Sequence, residues 1–404
     1  MAGVGARLSV RLMERGSTQA GRRPRVLIAG GGVAALEAML ALRGRAEVEL
    51  HAPRREFAYR PLAVGEPFGA GRVLTFDLAD LAERAGASFR LDSVIAVDGD
   101  RRHVVTRDGH EVPYDYLLLA HGVRMLWAVP GAVTFWGVPD EGGVAEVVRG
   151  LREGELRSAV FTMPGGASWS LPIYELALLA EASLSRAGVT GAELKIVTPE
   201  DAPLRLFGVR AAGQVTALLG ERGIETIAGV HPVKFDRGLL HIAPGEPVET
   251  DAVVSLPRLE GRRIAGVPHD QDGFIPVDEH CRALGMDSVF AAGDVTAFPV
   301  KQGGIAAQQA DVAAEAIAAE IGAPADSRPF DPILRGTLWT GEGPRYLYGR
   351  LTGGHGETSE LTDHAHWEHE GKIVGEHLAP FLDSIPGAER PGSQTGDGNA
   401  VPTG

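Results

Sequence analysis

Three consecutive glycines follow an apolar stretch near the start of this 404-residue chain. The stretch Arg25–Ala29 predicts a buried parallel strand, and Val33–Leu42 after the glycines predicts a helix. Gly30 would allow a tight turn, Gly32 would let a pyrophosphate reach the backbone amides, and Ala35 would let helix and strand pack closely. A helix start also favours phosphate, so the pattern predicts a dinucleotide-binding turn. Its predicted cofactor contacts are Gly30, Gly32, Val33, Ala34 and Ala35.

The carboxylate that usually binds the adenosine ribose of such a cofactor is missing from its expected position. It should end the second strand, about twenty residues after the glycines. The predicted strand Val48–His51 is followed by Ala52, and Glu49 lies inside the strand. Backbone groups or Arg54 therefore remain as candidates for ribose recognition.

A second group of candidate residues lies late in the chain. The apolar stretch Val289–Ala292 predicts a buried strand that ends at Gly293 and Asp294. A carboxylate at the end of a strand can accept hydrogen bonds from hydroxyl groups. Lys301 and the start of a long alanine-rich helix, Gly304–Ile321, would then place positive charge nearby. The helix start adds Gly304 and Ile305 as predicted cofactor contacts.

The composition limits the compartment and the partners. Lys and Arg number 39 against 53 Asp and Glu, which gives a net charge of −14 and predicts no nucleic-acid partner. We find no apolar stretch long enough to span a membrane and no secretory signal, so we expect a cytoplasmic protein, and peripheral membrane association stays open. A single cysteine, Cys281, excludes an internal disulfide and a multi-thiolate zinc site.

Three segments together resemble the FAD-binding signatures of the pyridine nucleotide-disulfide oxidoreductase superfamily. They are the glycine turn, the strand end Tyr114–Gly122 and the segment Val289–Asp294, and the resemblance covers roughly residues 24–325. It implies an FAD extended across the first domain, with Asp294 bound to the ribityl chain. It also implies cofactor contacts at Ala120, Gly122 and Gly293. His121 stands where members of the superfamily usually have threonine.

Two further segments resemble the branch that contains the sulfide:quinone oxidoreductases and the type II NADH dehydrogenases. They are Arg55–Leu62 and Val300–Gly304. The resemblance implies that the first segment, which includes Pro61, passes near the flavin edge. It also implies that Lys301 faces the pyrimidine end of the ring, where its ammonium would stabilise negative charge on the reduced flavin. Lys301 is therefore the predicted catalytic residue, and Gln308 resembles a residue that faces quinone.

The resemblance implies an α/β fold with two Rossmann-like, three-layer domains, of which the FAD domain is discontinuous, and a small C-terminal α+β unit. The predicted boundaries are 1–23 for a flexible arm, 24–128 with 257–325 for the FAD-binding domain, 129–256 for a second nucleotide-binding-like domain, 326–383 for a C-terminal interface unit and 384–404 for a disordered tail. The interface unit is compatible with a homodimer. Its histidines, between residues 355 and 377, lack the spacing of a metal site, so we predict no metal.

The residues that would relay electrons through thiols are absent. Trp169 stands where the resemblance places the first redox cysteine. Because Cys281 is the single thiol and cannot form an internal disulfide, disulfide reductase chemistry is excluded and thiol-based sulfide oxidation is disfavoured. In the second domain the turn Pro164–Ser168 departs from the glycine pattern, although Glu200 after the next strand could bind a ribose.

The sequence thus leaves three functions open. The first is electron transfer from NAD(P)H through FAD to a quinone-like or other small acceptor, so that the partners are a small electron donor and a small acceptor. The second is a related flavoprotein with a non-nicotinamide substrate bound around Trp169 and Tyr174. The third is a non-catalytic flavin-binding protein that acts by binding a partner.

Overall fold

The computed structural model describes residues 22–138, 143–166, 169–352, 355–356, 359–368 and 371–386. Most of the predicted amino-terminal arm and carboxyl-terminal tail therefore lies outside the described residues.

The elements of the first part of the chain are short strands around two helices. The strands are β1 (Arg25–Ala29), β2 (Glu47–Ala52), β3 (Glu56–Tyr59), β4 (Leu74–Asp77), β5 (Ser88–Leu91), β6 (Val94–Asp98), β7 (His103–Thr106), β8 (Glu111–Pro113), β9 (Tyr116–Leu119) and β10 (Val123–Leu126). The helices are α1 (Val33–Ala41) and α2 (Leu78–Ala85), and a 3₁₀ helix covers Arg60–Phe68.

The middle of the chain repeats this alternation. Its strands are β11 (Val133–Thr134), β12 (Ser158–Thr162), β13 (Glu193–Val197), β14 (Glu225–Ile227), β15 (His231–Asp236), β16 (Leu239–Ala243), β17 (Val248–Glu249) and β18 (Ala252–Ser255). Its helices are α3 (Gly143–Glu153), α4 (Leu171–Arg186) and α5 (Val209–Glu221), with a short 3₁₀ helix at Arg205–Phe207.

The last part of the chain contains one long helix and a small sheet. The strands are β19 (Arg258–Gly261), β20 (Val289–Ala291), β21 (Ile333–Trp339), β22 (Pro344–Thr352), β23 (His355–Gly356) and β24 (Leu361–Thr362). The helices are α6 (Gly303–Glu320) and α7 (Leu378–Asp383).

The first layered unit has a parallel sheet in its centre, with strand order β20-β9-β1-β2-β5. Alternate residues of its strands point to opposite faces. Ile28 and Leu118 pack on one face with α1 and α6, while Leu27 and Leu117 pack on the other with the antiparallel sheet β6-β7-β8. Both faces of the central strands are covered, so β1, β9 and β20 are almost wholly apolar.

The second layered unit has the same architecture, with a parallel sheet of order β11-β18-β12-β13-β14. Phe161 and Ile196 pack against the helices, and Val160 and Val197 pack against the antiparallel sheet β15-β16-β17. The predicted α/β class with two three-layer, Rossmann-like units is confirmed. An antiparallel pair, β10 with β19, connects the two units.

The C-terminal part belongs to both cores. The hairpin β21-β22 packs Leu334 and Leu347 into the core of the second unit. Residues 371–386, which we call the C-terminal segment, return to the first unit, where Leu378 and Leu382 join its core.

Candidate functional site

The glycine turn after β1 forms an open cradle at the start of α1. Gly30 has φ +148°, and a Cβ there would overlap the carbonyl oxygen of Ala120. A Cβ on Gly32 would meet nothing within 4 Å, and no side chain caps the helix at this residue. The cradle therefore leaves backbone amides of α1 accessible to an anionic group, and Val33, Ala34 and Ala35 lie in its first turn.

The loop after β9 forms the other side of the cradle. The amide of Ala120 donates to the carbonyl oxygen of Ala29 at 2.8 Å, which holds the ends of β1 and β9 together. Gly122 has φ +67°, with open space where a side chain would be. His121 lies between them, and burial lowers its pKa to about 4, so its imidazole is neutral at pH 7.

The end of β20 meets the start of α1. A Cβ on Gly293, whose φ is +83°, would lie 3.1 Å from the Cβ of Ala34. Gln309 Oε1 accepts a hydrogen bond of 2.8 Å from the Gly293 amide, which fixes this turn against α6. The three predicted cofactor segments therefore converge at one edge of the first sheet.

Asp294 follows this turn and has no hydrogen-bond partner among the residues that the structure describes. Burial raises the pKa of its carboxyl group, whereas the positive charges of Lys301 and Arg60 lower it. Asp294 is half-buried, and the lone pairs of its carboxylate that no described group occupies fit the hydroxyls of a polyol.

Lys301 is a buried cation beside Asp294. Its side chain is among the buried residues, at 6% exposure, and its Nζ donates to the carbonyl oxygen of Thr296 at 2.5 Å. The ammonium also lies 3.9 Å from the centre of the Phe274 ring. Burial lowers the pKa of Lys301 to about 8, although Asp294 counteracts this.

Glu49 lies inside β2 and contacts other side chains of the first unit. It pairs with Arg25 and Arg90 and lies 3.0 Å from Nε2 of His51. These contacts, led by the one with His51, lower its pKa to about 2. Glu49 is therefore held by protein groups.

Positive charge collects near the turn, which sequence reasoning only partly anticipated at Arg54. Burial lowers the pKa of Arg60, and the neighbouring guanidinium groups of Arg54 and Arg262 lower it further. Asp294 counteracts this by raising the pKa of Arg60, and the exposed guanidinium groups of Arg54 and Arg60 would attract an anionic group such as a phosphate. Arg60 lies inside the segment that was predicted to pass the flavin, but Arg262 is far away in sequence and no local pattern marks it.

The start of α6 is fixed by side-chain hydrogen bonds. Gln302 Oε1 accepts from the amide of Ile305 at 2.9 Å and thereby caps the helix that begins at Gly303, with Gly304 in its first turn. Pro61 lies in the 3₁₀ helix Arg60–Phe68. The side-chain amide of Gln308 exchanges two hydrogen bonds with the backbone of Ile333, at 2.8 and 2.9 Å.

The predicted substrate residues of the second unit lie against protein. The Trp169 ring packs edge-on against Phe207, with centroids 5.8 Å apart. Tyr174 is fully buried, and its hydroxyl donates to Glu200 Oε2 at 2.6 Å. The substrate roles of Trp169, Tyr174 and Gln308 stay predictions.

The C-terminal segment closes over the start of α6, which the sequence did not indicate. A Cβ on Gly303 would lie 2.8 Å from Ile373, and the amide of Ile373 donates to the Tyr59 hydroxyl at 2.9 Å. Beside it, Lys372 forms a buried ion pair with Glu175 of α4, with side-chain exposures of 6% and 2%.

The sequence matches the family described as Pyridine nucleotide-disulphide oxidoreductase over residues 24–317, which is well over half of the chain. The chain belongs to this family. It is therefore a flavin-dependent oxidoreductase with FAD as its cofactor.

Named relatives within and near this family agree with the resemblance seen in the sequence. An NADH dehydrogenase-like protein of Mycobacterium tuberculosis is 29% identical over 296 residues, covering 68% of this chain and 73% of the relative. A sulfide-quinone reductase of Aquifex aeolicus is 23% identical over 302 residues, covering 68% and 69%. The structure of the sulfide:quinone oxidoreductase from Aquifex aeolicus has a TM-score of 0.71 at 20% identity, covering 84% of this chain and 87% of that one.

The residues around the cradle fit the family's FAD. The open backbone at Gly32 suits a pyrophosphate, the guanidinium groups of Arg54 and Arg60 carry matching charge, and the Asp294 carboxylate lacks donors within the described chain. Among the described residues we find no cluster of three histidine, cysteine or acidic side chains that could hold a metal. None of the described helices is long and apolar enough to cross a membrane.

Proposed function

We propose that this flavoprotein takes a hydride from NAD(P)H and passes the electrons to a quinone-like or other small acceptor, without a cysteine relay. Bound FAD supplies the hydride-accepting chemistry. The protein contributes the cradle at Gly30 and Gly32, the carboxylate of Asp294 and the buried ammonium of Lys301.

The observation that carries the proposal is the position of the single thiol. Cys281 is 1% exposed and packs in the core of the first unit, and burial raises its pKa to about 12. A neutral, enclosed thiol is a poor nucleophile. Electrons would then pass directly between small molecules and the flavin, with no thiol in between. An NADH dehydrogenase-like relative supports a nicotinamide nucleotide as the electron donor.

The second unit favours an alternative with a different electron donor. Its turn begins with Pro164 where a glycine is expected, and Glu200 is occupied by hydrogen bonds within the protein. A flavoprotein related to sulfide:quinone oxidoreductases, but with a non-nicotinamide substrate, would show the same features.

Anaerobic stopped-flow mixing separates the two functions. We expect NADH or NADPH to bleach the oxidised flavin absorbance in a rapid phase that saturates with nucleotide concentration. Reduction only by other donors would refute the proposal and support the alternative. Re-oxidation of the reduced enzyme by a soluble quinone, followed in the same instrument, then tests the acceptor.

A further inference from the structure

Glu200 lies on the loop that follows β13, at the carboxyl edge of the second parallel sheet. Ligands of α/β folds bind at this edge, and an acidic residue after the second strand usually accepts the ribose hydroxyl of a dinucleotide. Its position alone would therefore make Glu200 the ribose ligand of a nicotinamide nucleotide.

The hydrogen bonds of Glu200 instead connect it to other side chains of the protein. Ser170 Oγ donates to Oε1 at 2.9 Å, and the hydroxyls of Tyr174 and Thr198 donate to Oε2 at 2.6 and 3.3 Å. Burial raises the pKa of Glu200, and the hydrogen bonds from these three hydroxyls counteract this. A carboxylate has about four lone-pair sites, so these donors occupy the positions that a ribose diol would use.

The donors themselves are held in place by the fold. Ser170 and Tyr174 lie at the start and in the first turn of α4, and Tyr174 is fully buried. Its pKa lies well above the ordinary value because of burial, so the hydroxyl keeps its proton and remains a donor. Turning Glu200 outward would leave this buried hydroxyl without its acceptor, which is costly.

We propose that Ser170 and Tyr174 hold Glu200 as an internal anchor between α4 and the β13 loop, so that it does not bind the ribose and the enzyme discriminates weakly between NADH and NADPH. The inference rests on the proposed function, since it concerns the donor of that reaction. Asp201, the exposed neighbour on the same loop, serves as the matched control.

The kinetic test compares the Glu200→Gln and Asp201→Asn variants with the unmodified enzyme. We expect kcat/KM for NADH and NADPH to agree within about tenfold, and the KM for NADH to change by less than about twofold in either variant, because no ribose hydrogen bond is lost. A rise of about tenfold or more in the KM for NADH in either variant, or a strong preference for one nucleotide, would overturn the inference.

A stability test examines the anchor without using a donor. Tyr174→Phe and Glu200→Ala should each lower Tm, and the loss in the double variant should be smaller than the sum of the two single losses, because both remove the hydrogen bond between these side chains. Strictly additive losses of Tm would overturn the anchor. If neither nucleotide reduces the flavin, the proposed function and the selectivity fail together, while this cycle still decides the role of Glu200.

Discussion

At the residue scale, Lys301 is a buried cation beside Asp294, and we propose that it tunes the cofactor from this position. Its ammonium donates a hydrogen bond to the Thr296 carbonyl and contacts the face of the Phe274 ring. The negative charge of Asp294 also stabilises it. A cation of low exposure is weakly screened, so it acts strongly on charge that develops nearby.

We expect Lys301→Met to lower the flavin reduction potential, because the variant loses a positive charge that favours the reduced, more negative cofactor. The potential is measured by equilibrium reduction against a reference dye. Lys195→Met is a suitable control, since that lysine pairs with Glu193 and Glu225 at the edge of the second unit. An unchanged potential in Lys301→Met, with full flavin content, would remove Lys301 from this role.

The effect of Lys301 should also depend on pH. Its pKa of about 8 lies below the ordinary value of 10.5, so the ammonium is charged below pH 8 and loses its proton as the pH rises through that value. The potentials of the unmodified enzyme and Lys301→Met should therefore differ most near pH 6 and converge above pH 9. A constant difference over this range would contradict the assignment of the proton to Lys301.

The sequence predicted the turns of the candidate site, because local structure sets them. Gly30 and Gly293 follow strand ends and Gly32 stands at the start of α1, and their spacing implies the turns that the structure contains. It could not predict groups that meet only through the tertiary fold. Lys372 and Glu175 are 197 residues apart, and neither has a local pattern that would mark it as half of a buried ion pair.

At the scale of elements, α7 is fixed to α1 by one buried carboxylate. Glu37 of α1 accepts hydrogen bonds from the amides of His377 and Leu378, at 2.6 and 2.9 Å, and so caps the start of α7. Asp311 of α6 lies beside Glu37, and burial, followed by the charges of Glu37 and Glu376, raises the pKa of Asp311 to about 9. At neutral pH Asp311 is therefore protonated, because these two adjacent carboxyl groups do not both carry a charge.

Because the pKa of Asp311 is raised, we expect the stability of the folded protein to decrease as the pH rises. The folded protein binds the proton of Asp311 more tightly than the unfolded chain, whose pKa is near 3.8, so stability falls as the pH rises from about 4 to 9. Asp311→Asn keeps a donor for Glu37 and cannot ionise. We expect its Tm, relative to the unmodified protein, to increase between pH 5 and pH 9. A difference in Tm that does not vary with pH would show that Asp311 is not the titrating group.

At the scale of the molecule, the C-terminal segment connects the two layered units. It packs on α1 of the first unit through Leu378, while Lys372 reaches Glu175 on α4 of the second. The Lys372 ammonium also lies 4.3 Å from the centre of the Trp339 ring, and the Trp339 amide donates to Glu175 at 2.9 Å. One segment of chain thus contacts both cores and the C-terminal sheet.

Breaking this connection from the lysine side should destabilise the whole protein. Lys372→Met leaves the Glu175 carboxylate buried without its counter-ion, which typically costs about 3–5 kcal/mol of unfolding free energy. The double variant Lys372→Met, Glu175→Gln removes both charges and keeps an acceptor for the Trp339 amide, so we expect it to recover most of the loss. Urea unfolding followed by tryptophan and flavin fluorescence measures both variants. If the double variant were no more stable than Lys372→Met, the loss would come from the packing of the lysine stem and not from an unpaired buried charge.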